Sequence, residues 1–425
     1  MAGRFYVKSF GCKVNQCDGD ELARRIVKLG LSRTANPAEA ALCIVNGCTV
    51  TAKADTKCMK LVRSLARVNP SARIVVTGCT AVRVTQDVGE SKTADFELVA
   101  IDDVAEWQRI VSELHNGSDA DNGTVFRPPT YRTRAFIKVQ DGCDAFCSYC
   151  IVPHVRGMPR SEPRDRIFAN IERAMARDVK EIVLTGTRLG KYGTDLEPRS
   201  SLSALIEEIS ERFAVPRIRL SSIELTAITD DLIDAFGRIR SVQHHVHIPL
   251  QSGDRHTLRA MNRPYGPDEF ADTVERIRAL WPDAGITTDV IVGFPGETAA
   301  AFDSTVSFVE KTAFSRLHVF RYSPRPGTPA ATMANRVADS EISKRSRSLT
   351  ELGKQKAHEF ALSHIGRDVE LLVESRRHRK TGWMMGFTGN YLEAVIRDGR
   401  DDMINKVVTA RVVGVDGTTL VCNAE

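Results

Sequence analysis

The sequence of 425 residues lacks any long hydrophobic run. No apolar stretch approaches the roughly 20 residues that a helix needs to cross a bilayer. The first ten residues also lack the basic start, the apolar middle and the small-residue cleavage site of a signal peptide. We therefore expect a cytoplasmic protein that does not associate with membranes.

A large excess of one charge is also missing. Lys and Arg total 59 against 54 Asp and Glu, so the net charge is only +5. This balance permits a nucleic-acid partner but does not indicate one by itself. The share of hydrophobic residues, 42%, is typical of a folded globular protein. At roughly 150 residues per domain, the length predicts two or three domains.

Cysteine, in contrast, is plentiful, with ten residues in the chain. Structural disulfides are not expected in a protein without an export signal, because cytosolic thiols are kept reduced. Metal binding or catalysis is then the leading interpretation, and the spacing of the cysteines becomes the main source of information.

Three segments near the N-terminus share one pattern, in which an apolar strand-like run is followed by Gly-Cys and then by a helical stretch. The cysteines of these pairs are Cys12, Cys48 and Cys79. Their separations of 36 and 31 residues match successive strand-helix units of a parallel sheet. Ligands of such sheets bind beyond the carboxyl ends of the strands. The pattern therefore predicts that the three cysteines meet at one edge of a sheet.

A polar stretch between residues 118 and 132 is typical of a linker and predicts a domain boundary. Beyond it, strand and helix patterns alternate for some two hundred residues. Six strand-helix units in series predict an open, incomplete parallel barrel, since a closed one would need eight. The strand candidates are residues 135–140, 181–185, 217–222, 244–250, 285–292 and 317–322.

After a charged helical stretch at residues 339–364, the apolar pattern changes to period two. Residues 407–413 and 419–422 flank Asp416-Gly417 and predict a hairpin, with earlier strands at 369–374 and 391–397. The predicted fold class is α/β in three domains. Residues 1–120 form a parallel-sheet domain, residues 132–360 a partial (β/α)6 barrel, and residues 366–425 a small all-β barrel.

A second cysteine triplet follows the first predicted barrel strand and consists of Cys143, Cys147 and Cys150. Three thiolates spaced in this way can hold three corners of an iron-sulfur cluster and leave one iron open to a small molecule. Structural zinc, the alternative, normally takes four protein ligands. The nearest fourth candidate is His154, which stands beside Pro153 in a predicted loop, so the ligand count favours a cluster.

The spacing Cys-x-x-x-Cys-x-x-Cys resembles the radical S-adenosylmethionine signature. The flanking runs Lys138-Val-Gln-Asp-Gly-Cys143 and Cys150-Ile-Val-Pro-His-Val-Arg-Gly157 resemble the methylthiotransferase family. In that family three N-terminal cysteines, which match Cys12, Cys48 and Cys79, hold a second four-iron cluster. The C-terminal domain resembles the RNA-binding TRAM domain. The resemblance extends over nearly the whole chain.

The resemblance implies an enzyme with two [4Fe-4S] clusters that uses S-adenosylmethionine both as radical source and as methyl donor. The cluster on Cys143, Cys147 and Cys150 would generate a deoxyadenosyl radical, and the second cluster would carry or supply sulfur. A methylthio group then replaces a hydrogen of the substrate. The implied partners are tRNA, an electron donor such as flavodoxin or ferredoxin, and a sulfur source, and we expect a monomer.

Local sequence sorts the branches of this family by substrate. The runs Gly11-Cys-Lys-Val-Asn-Gln16, Arg219-Leu-Ser-Ser-Ile-Glu224 and His245-Val-His-Ile-Pro-Leu-Gln-Ser-Gly253 resemble the branch acting on N6-threonylcarbamoyladenosine at position 37, beside the tRNA anticodon. The alternatives are isopentenyladenosine in tRNA and an aspartate of a ribosomal protein. An iron-sulfur RNA-binding scaffold without radical activity is the alternative from another class.

Further candidates for binding S-adenosylmethionine or the substrate come mainly from predicted strand ends. Tyr149 resembles the family's aromatic residue that lies against adenine, although it could equally pack beneath the loop. At the second strand the chain has Thr-Gly-Thr where many radical enzymes carry Gly-Gly-Glu, so backbone carbonyls would have to serve. The remaining candidates are Gly186, Thr187, Ser222, Glu224 and Gln251.

In the tail, the basic run from Arg376 to Lys380 could grip phosphates or be an ordinary solvated turn. Trp383, Phe387 and Tyr391 could stack on bases, although most aromatics at such spacing belong to a core.

Overall fold

The computed structural model describes residues 3–88, 96–115 and 133–424. The contacts divide the chain into two compact units. The first comprises Met1–Thr130, Cys150–Gly157 and Ser323–Gly327, and the second comprises Tyr131–Tyr149, Met158–Tyr322 and Thr328–Glu425. The predicted linker at 118–132 lies outside the described residues. No helix in the described ranges is both long and apolar enough to span a membrane.

The first unit is built on a parallel sheet with the strand order β2-β1-β3-β4-β5. The predicted parallel-sheet domain is therefore confirmed. Its elements are β1 (Arg4–Ser9), α1 (Lys13–Lys28), β2 (Ser32–Arg33), β3 (Leu42–Gly47), α2 (Ala52–Val68), β4 (Arg73–Gly78), α3 (Cys79–Val88), β5 (Glu97–Leu98), α4 (Val104–His115) and α5 (Val152–Arg156).

Strand β3 explains why helices cover both faces of this sheet. All six of its residues are buried, and successive side chains point to opposite faces. Leu42 and Ile44 pack with residues of α1 and α4, whereas Cys43 and Val45 pack with residues of α2 and α3. A strand buried on both faces is typical of parallel sheets in α/β proteins.

The central part of the second unit contains six parallel strands in the order in which they occur in the chain. Two sheets, β6-β9-β10 and β11-β12-β13, are joined by isolated bridges from Ile218 to Val242 and from Ser222 to His247. The predicted partial barrel is confirmed. Its strands are β6 (Arg134–Lys138), β9 (Glu181–Thr185), β10 (Arg217–Leu220), β11 (His245–His247), β12 (Gly285–Val292) and β13 (Arg316–Arg321), and β7 (Gln140–Asp141) pairs with β8 (Arg160–Ser161) beside them.

Helices follow the barrel strands and bury one apolar side against them. Ile167, Phe168 and Ile171 of the first such helix belong to the large hydrophobic core that also contains Ile182 and Leu184 of β9. The helices are α6 (Arg164–Met175), α7 (Leu202–Arg212), α8 (Asp230–Arg238), α9 (Arg255–Ala260), α10 (Pro267–Leu280), α11 (Ala299–Lys311) and α12 (Asp339–Leu362).

The C-terminal strands close into a small barrel in the order β14-β15-β16-β18-β17. The strands are β14 (Asp368–Arg377), β15 (Met384–Thr388), β16 (Glu393–Ile396), β17 (Val407–Asp416) and β18 (Thr419–Ala424). The predicted hairpin corresponds to β17 and β18. The predicted strand at 391–397 begins only at Glu393, because Tyr391 has a positive φ of 70° and lies in the turn before it.

Within the second unit, a buried ion pair links the partial barrel to the C-terminal barrel. Arg219 donates from Nε and Nη2 to the two carboxylate oxygens of Glu181 at 3.0 and 3.1 Å, and from Nη1 to the Gly389 carbonyl at 2.9 Å. The two side chains are 2% and 0% exposed. Arg134 also contacts Glu181, at 2.8 Å. Burial favours the neutral form of Glu181, but the arginines outweigh it and lower its pKa.

We expect Arg219→Leu to destabilise the second unit by about 3–5 kcal/mol, because a buried carboxylate loses one of its two arginine partners. Thermal unfolding followed by circular dichroism measures the effect. Arg238→Ala removes an exposed pair with Glu207 and serves as the matched control, with an expected change below about 1 kcal/mol. Equal unfolding midpoints for the two variants would contradict this role of Arg219.

Candidate active site

The three N-terminal cysteines lie at the carboxyl edge of the first unit's sheet. Cys12 caps α1, with its Sγ accepting from the Asn15 amide at 3.5 Å, Cys48 directly follows β3, and Cys79 is the first residue of α3. Burial raises the pKa of Cys79 to about 12, and the nearby Cys12 and Cys48 raise it further. The structure thus brings these three predicted residues together.

The glycine before Cys12 is required by the close approach of the cysteine loops. Gly11 has a φ of +88°, and a Cβ at this position would lie 2.4 Å from the Cβ of Cys48 and 2.6 Å from its Sγ. Any other residue would therefore displace Cys48 and would also adopt a strained backbone.

Asn15 fastens two of the cysteine loops to each other. Its side chain, fully buried in α1, directs Nδ2 to the carbonyls of Phe10, Asn46 and Gly47 at 2.7, 3.3 and 3.2 Å. In return, the Asn46 side chain donates to the Asn15 carbonyl at 2.6 Å. These carbonyls precede Cys12 and Cys48, so one amide group fixes the spacing of both loops.

Arg156 extends this network to the third cysteine. Its Nη1 and Nη2 each lie 3.1 Å from Asp18 Oδ2, and Nη2 donates to Asn15 Oδ1 at 3.2 Å. The side chains of Arg156 and Asp18 are only 8% and 7% exposed. The charge and hydrogen bond of Arg156 partly offset the rise in the pKa of Cys79 that burial causes. Ile151 and Val155, from the same segment, pack against Cys79.

A second arginine network stands beside Cys48. Arg325 donates to Thr49 Oγ1 at 2.8 Å and to Asp55 Oδ2 at 2.5 Å, and Arg83 donates to the same oxygen of Asp55 at 2.6 Å. Arg325 belongs to the short segment Ser323–Gly327, which is grouped with the first unit. Burial raises the pKa of Cys48, Asp55 adds to this rise, and the two arginines partly neutralise the Asp55 carboxylate.

Cys43 and Cys58 differ from the three edge cysteines. Both are fully buried in the hydrophobic core between the sheet and α2, with Val45 and Val62. Burial raises the pKa of each to about 11. Their role in the structure is packing.

In the second triplet, Cys143 and Cys147 lie in the loop after β7, and Cys150 begins the segment that is grouped with the first unit. Cys147 is buried, with its Sγ 3.2 Å from Arg263 Nη1. Ser148 fixes the loop through its backbone, donating to the Met261 carbonyl at 3.1 Å and accepting from the Ala330 amide at 2.8 Å. Burial raises the pKa of Cys143, and neighbouring Cys147 adds to the effect.

Tyr149 packs in a cluster with buried Met261, Phe294 and Ala330. The structure therefore shows packing on one side of this partly buried ring, next to the second and third cysteines of the motif, and contact with adenine stays a prediction. A ring held in this way by neighbouring apolar side chains is fixed in orientation.

Glu224 is brought close to Cys143, while Gly186 and Thr187 lie by β7. Glu224 Oε1 is 3.8 Å from Arg188 Nε, and Arg188 is also paired with Asp144. Burial raises the pKa of Glu224. A cavity of about 310 Å³ adjoins this group. Thr187 donates to Asp141 Oδ1 at 3.0 Å, and a Cβ on Gly186 would lie 2.9 Å from Gln140 Oε1.

Ser222 and Gln251 mark the ends of two further strands. Ser222 forms a bridge with His247, and Gln251 forms one with Val290. Gln251 is buried and has a positive φ of 71°, and its amide donates to the Asp289 carbonyl at 2.8 Å. These backbone positions orient both residues along the carboxyl edge of the partial barrel.

Several residues with functional geometry were missed by the sequence analysis. His247, Asp289 and His318 offer ligand atoms within 4.8 Å of one another. The signal that could have found this set is register, because Asp289 and His318 are direct partners in neighbouring parallel strands. Asn15 and Asp18 follow Cys12 at intervals of three and six residues, which places them on one side of the helix.

Comparison with known proteins identifies the family. Residues 137–309 match the model of the radical SAM superfamily, and residues 4–99 match an uncharacterized family termed UPF0004. The threonylcarbamoyladenosine tRNA methylthiotransferase MtaB of Bacillus subtilis is 34% identical, with 95% of this chain and 92% of the relative covered. The protein of the same name from Thermotoga maritima is 37% identical, with 87% and 86% covered.

A tRNA-2-methylthio-N(6)-dimethylallyladenosine synthase of Aquifex aeolicus is 31% identical, with 97% of this chain and 96% of the relative covered. Among solved structures, the radical S-adenosylmethionine methyltransferase TsrM from Kitasatospora setae shares the fold. Its TM-score is 0.54 at 13% identity, with 78% and 77% of the chains covered.

The chain therefore belongs to the radical S-adenosylmethionine tRNA methylthiotransferase family. As a member it is a transferase that uses S-adenosylmethionine and [4Fe-4S] clusters. The donor sets fit such clusters, because three thiols meet at one sheet edge beside the buried Arg156, and Cys147 has a guanidinium within hydrogen-bonding distance.

We expect Asn15→Ala to weaken iron binding at the N-terminal edge by about 10- to 100-fold, because the loops of Cys12 and Cys48 lose their common donor. Anaerobic iron release to a chelator measures the effect. Asn36→Ala, which removes a surface cap on Ala38, is the matched control and should release iron like the native protein. Identical release curves for the two variants would contradict the role of Asn15.

Proposed function

We propose that this protein converts N6-threonylcarbamoyladenosine at position 37 of tRNA, beside the anticodon, to its 2-methylthio derivative. The relatives with threonylcarbamoyladenosine in their names are 34–37% identical, whereas those named for dimethylallyladenosine are 29–31% identical. The observation that carries the proposal is the convergence of Cys12, Cys48 and Cys79 in a chain that also carries a radical-type cysteine triplet.

In this proposal Cys143, Cys147 and Cys150 hold the radical-generating cluster, and Cys12, Cys48 and Cys79 hold the auxiliary one. When bound, the clusters supply the electron that cleaves S-adenosylmethionine reductively and the iron site that carries sulfur. Tyr149, Gly186, Thr187, Ser222, Glu224 and Gln251 remain candidates for contacts with S-adenosylmethionine or the substrate.

The chain's own residues hold and orient these groups. Arg263 donates to the Cys147 sulfur at 3.2 Å and so fixes the position of this side chain. Arg156 supplies a cation to the auxiliary site from between Asp18 and Asn15. Gly11 leaves room for Cys48, so that the sulfur atoms can approach one another.

The C-terminal barrel is proposed to bind tRNA. Arg379 and Lys380 are exposed in the loop between β14 and β15 and can contact phosphates. Arg376 and Arg377 are already paired with Glu393 and Asp401 of the same barrel. Phe387 and Tyr391 stack on each other, with ring centroids 5.2 Å apart, and Arg134 lies over Phe387 at 4.5 Å. These contacts argue for an internal role of the two rings. Trp383 is partly buried against Met385, Val395 and Val421, with Arg397 5.4 Å from its ring, and remains a proposed base stacker.

The remaining proposed partners are an electron donor such as flavodoxin or ferredoxin and a sulfur source, and the protein is proposed to act as a monomer. The native enzyme, reconstituted without oxygen, should contain about eight irons, four for each cluster.

Cys147→Ala and Cys79→Ala should each retain about four irons, because each removes one ligand set. Only Cys147→Ala should abolish deoxyadenosine formation from S-adenosylmethionine, whereas Cys79→Ala should keep it and lose methylthiolation. Cys58→Ala, the buried control in the same unit, should keep eight irons and both activities. Eight irons in Cys79→Ala would refute the auxiliary assignment, and no deoxyadenosine from the native enzyme would favour the scaffold alternative.

The substrate assignment is tested by mass analysis of tRNA nucleosides from a strain that lacks this gene. We expect 2-methylthio-threonylcarbamoyladenosine to disappear and its unthiolated precursor to accumulate. Loss of the 2-methylthio-isopentenyl nucleoside instead would assign the enzyme to the branch that acts on isopentenyladenosine. Unchanged tRNA combined with an unmodified ribosomal aspartate would identify the third branch.

A further inference from the structure

The three strands β11, β12 and β13 present one set of side chains to the inside of the partial barrel. In the parallel register, Asp289 pairs with His318 and Ile291 pairs with Phe320. Alternate residues of β12 and β13, such as Val290, Val292, Leu317 and Val319, belong to the hydrophobic core or pack against it. Asp289, His318 and Phe320 consequently lie on the opposite face, away from that core.

This inner face is open at its carboxyl end. Phe320 is 45% exposed although it stands in a strand, and Arg316 and His318 on the same face of β13 are exposed as well. Ile291, the register partner of Phe320, lies in the apolar cluster that contains Tyr149. Tyr149 stands between Cys147 and Cys150 in sequence. An exposed aromatic ring therefore lies one strand away from the loop that carries the radical motif.

A polar chain continues from this ring along the same face. Asp289 accepts from His247 Nε2 at 3.3 Å and from His318 Nδ1 at 3.2 Å, and His247 Nδ1 lies 2.8 Å from Thr287 Oγ1. Burial would raise the pKa of Asp289, but the two imidazoles outweigh it and lower the pKa to about 2. Because Nδ1 of His318 faces Asp289, its Nε2 points away, and the side chain is 43% exposed.

We propose that this face holds the target nucleoside, with Phe320 stacked on the adenine and with His318, oriented by Asp289, bonded to the polar substituent on N6. The proposal rests on the proposed function and deepens it. Chemistry on a base requires its removal from the helical stack, and an aromatic side chain replaces the lost stacking. The face lies beside the loop that must deliver the radical.

The chemistry of the face suits a threonylcarbamoyl group better than a dimethylallyl group. The former carries a carboxylate, a hydroxyl and urea groups, for which Arg316 and His318 offer a cation and a hydrogen-bond partner. A dimethylallyl group would desolvate Arg316 and the outward Nε2 of His318 without offering either a hydrogen-bond partner, which selects against it. Asp289 is paired with the imidazoles of His247 and His318. These contacts weaken its repulsion of a carboxylate on the substrate.

The first test is kinetic and uses the full-length reconstituted enzyme with tRNA carrying N6-threonylcarbamoyladenosine. Phe320→Ala should lower kcat/KM by about 10- to 100-fold through the loss of base stacking. Phe320→Tyr should restore most of it, whereas Phe320→Leu, which is apolar but not aromatic, should not. Leu362→Ala removes an equally exposed apolar side chain at the end of α12 and should leave kcat/KM unchanged.

Iron content, the spectra of the reduced clusters and the thermal unfolding midpoint serve as readouts besides activity. They should be native-like in all Phe320 variants, since this side chain is exposed. Native kcat/KM in Phe320→Ala, or full recovery in Phe320→Leu, would overturn the stacking role.

The second test measures discrimination by the N6 substituent. The native enzyme should bind tRNA with threonylcarbamoyladenosine more tightly than the same tRNA with plain adenosine, and His318→Ala should bring this ratio close to one. An unchanged ratio would overturn the role of His318. Loss of a ninth, non-cluster metal ion on His318→Ala would also overturn it, since His247, Asp289 and His318 would then be metal ligands.

The two proposals fail in distinguishable ways. A native enzyme that modifies isopentenyladenosine tRNA but not threonylcarbamoyladenosine tRNA refutes the proposed function and the substituent contact together. A native enzyme that does modify threonylcarbamoyladenosine tRNA, with Phe320 and His318 variants equal to it, refutes only the binding face.

Discussion

The buried carboxamide of Asn15 is the interaction on which the N-terminal cysteine site depends. Strand ends are variable in direction, and three of them must deliver sulfur atoms to one place. Asn15 fixes the direction of the chain in the loops of Cys12 and Cys48, because its side-chain amide donates to the carbonyls of Phe10, Asn46 and Gly47. The Asn46 carbonyl also accepts from the Phe10 amide at 2.9 Å. A buried carbonyl that loses its donor costs about 1–3 kcal/mol, which favours the geometry that Asn15 imposes.

Charge is the second constraint on the same edge. Buried thiols resist ionisation, as the raised pKa of Cys48 and Cys79 shows, yet iron binds thiolates. Arg156 reduces this penalty, and Asp18 and Asn15 hold its guanidinium in place. Cluster binding must therefore offset the free energy needed to ionise these buried thiols. Because the cluster binds the folded sheet edge, its binding also stabilises the fold of this unit.

The sequence was sufficient for features that depend on short-range spacing. Cysteine intervals predicted that Cys12, Cys48 and Cys79 lie at one sheet edge, and the alternation of strands and helices predicted the parallel architecture. Strand β15 was not predicted, because the apolar run from Met384 to Thr388 is interrupted by Gly386 and has no clear period. The contact between Asp289 and His318 could not be predicted from spacing alone, since it depends on strand register across 29 residues.

The first unit is discontinuous, since Arg156 and Arg325 reach it from segments that follow far along the chain. The same short segment carries Cys150 and Arg156, so one stretch of eight residues belongs to the radical motif and to the surroundings of Cys79. A fragment that ends at His115 would lack Arg156 and Arg325, which supply the charged contacts of the cysteine edge. A substitution in this eight-residue stretch is therefore expected to affect the radical motif and the N-terminal cysteine edge together.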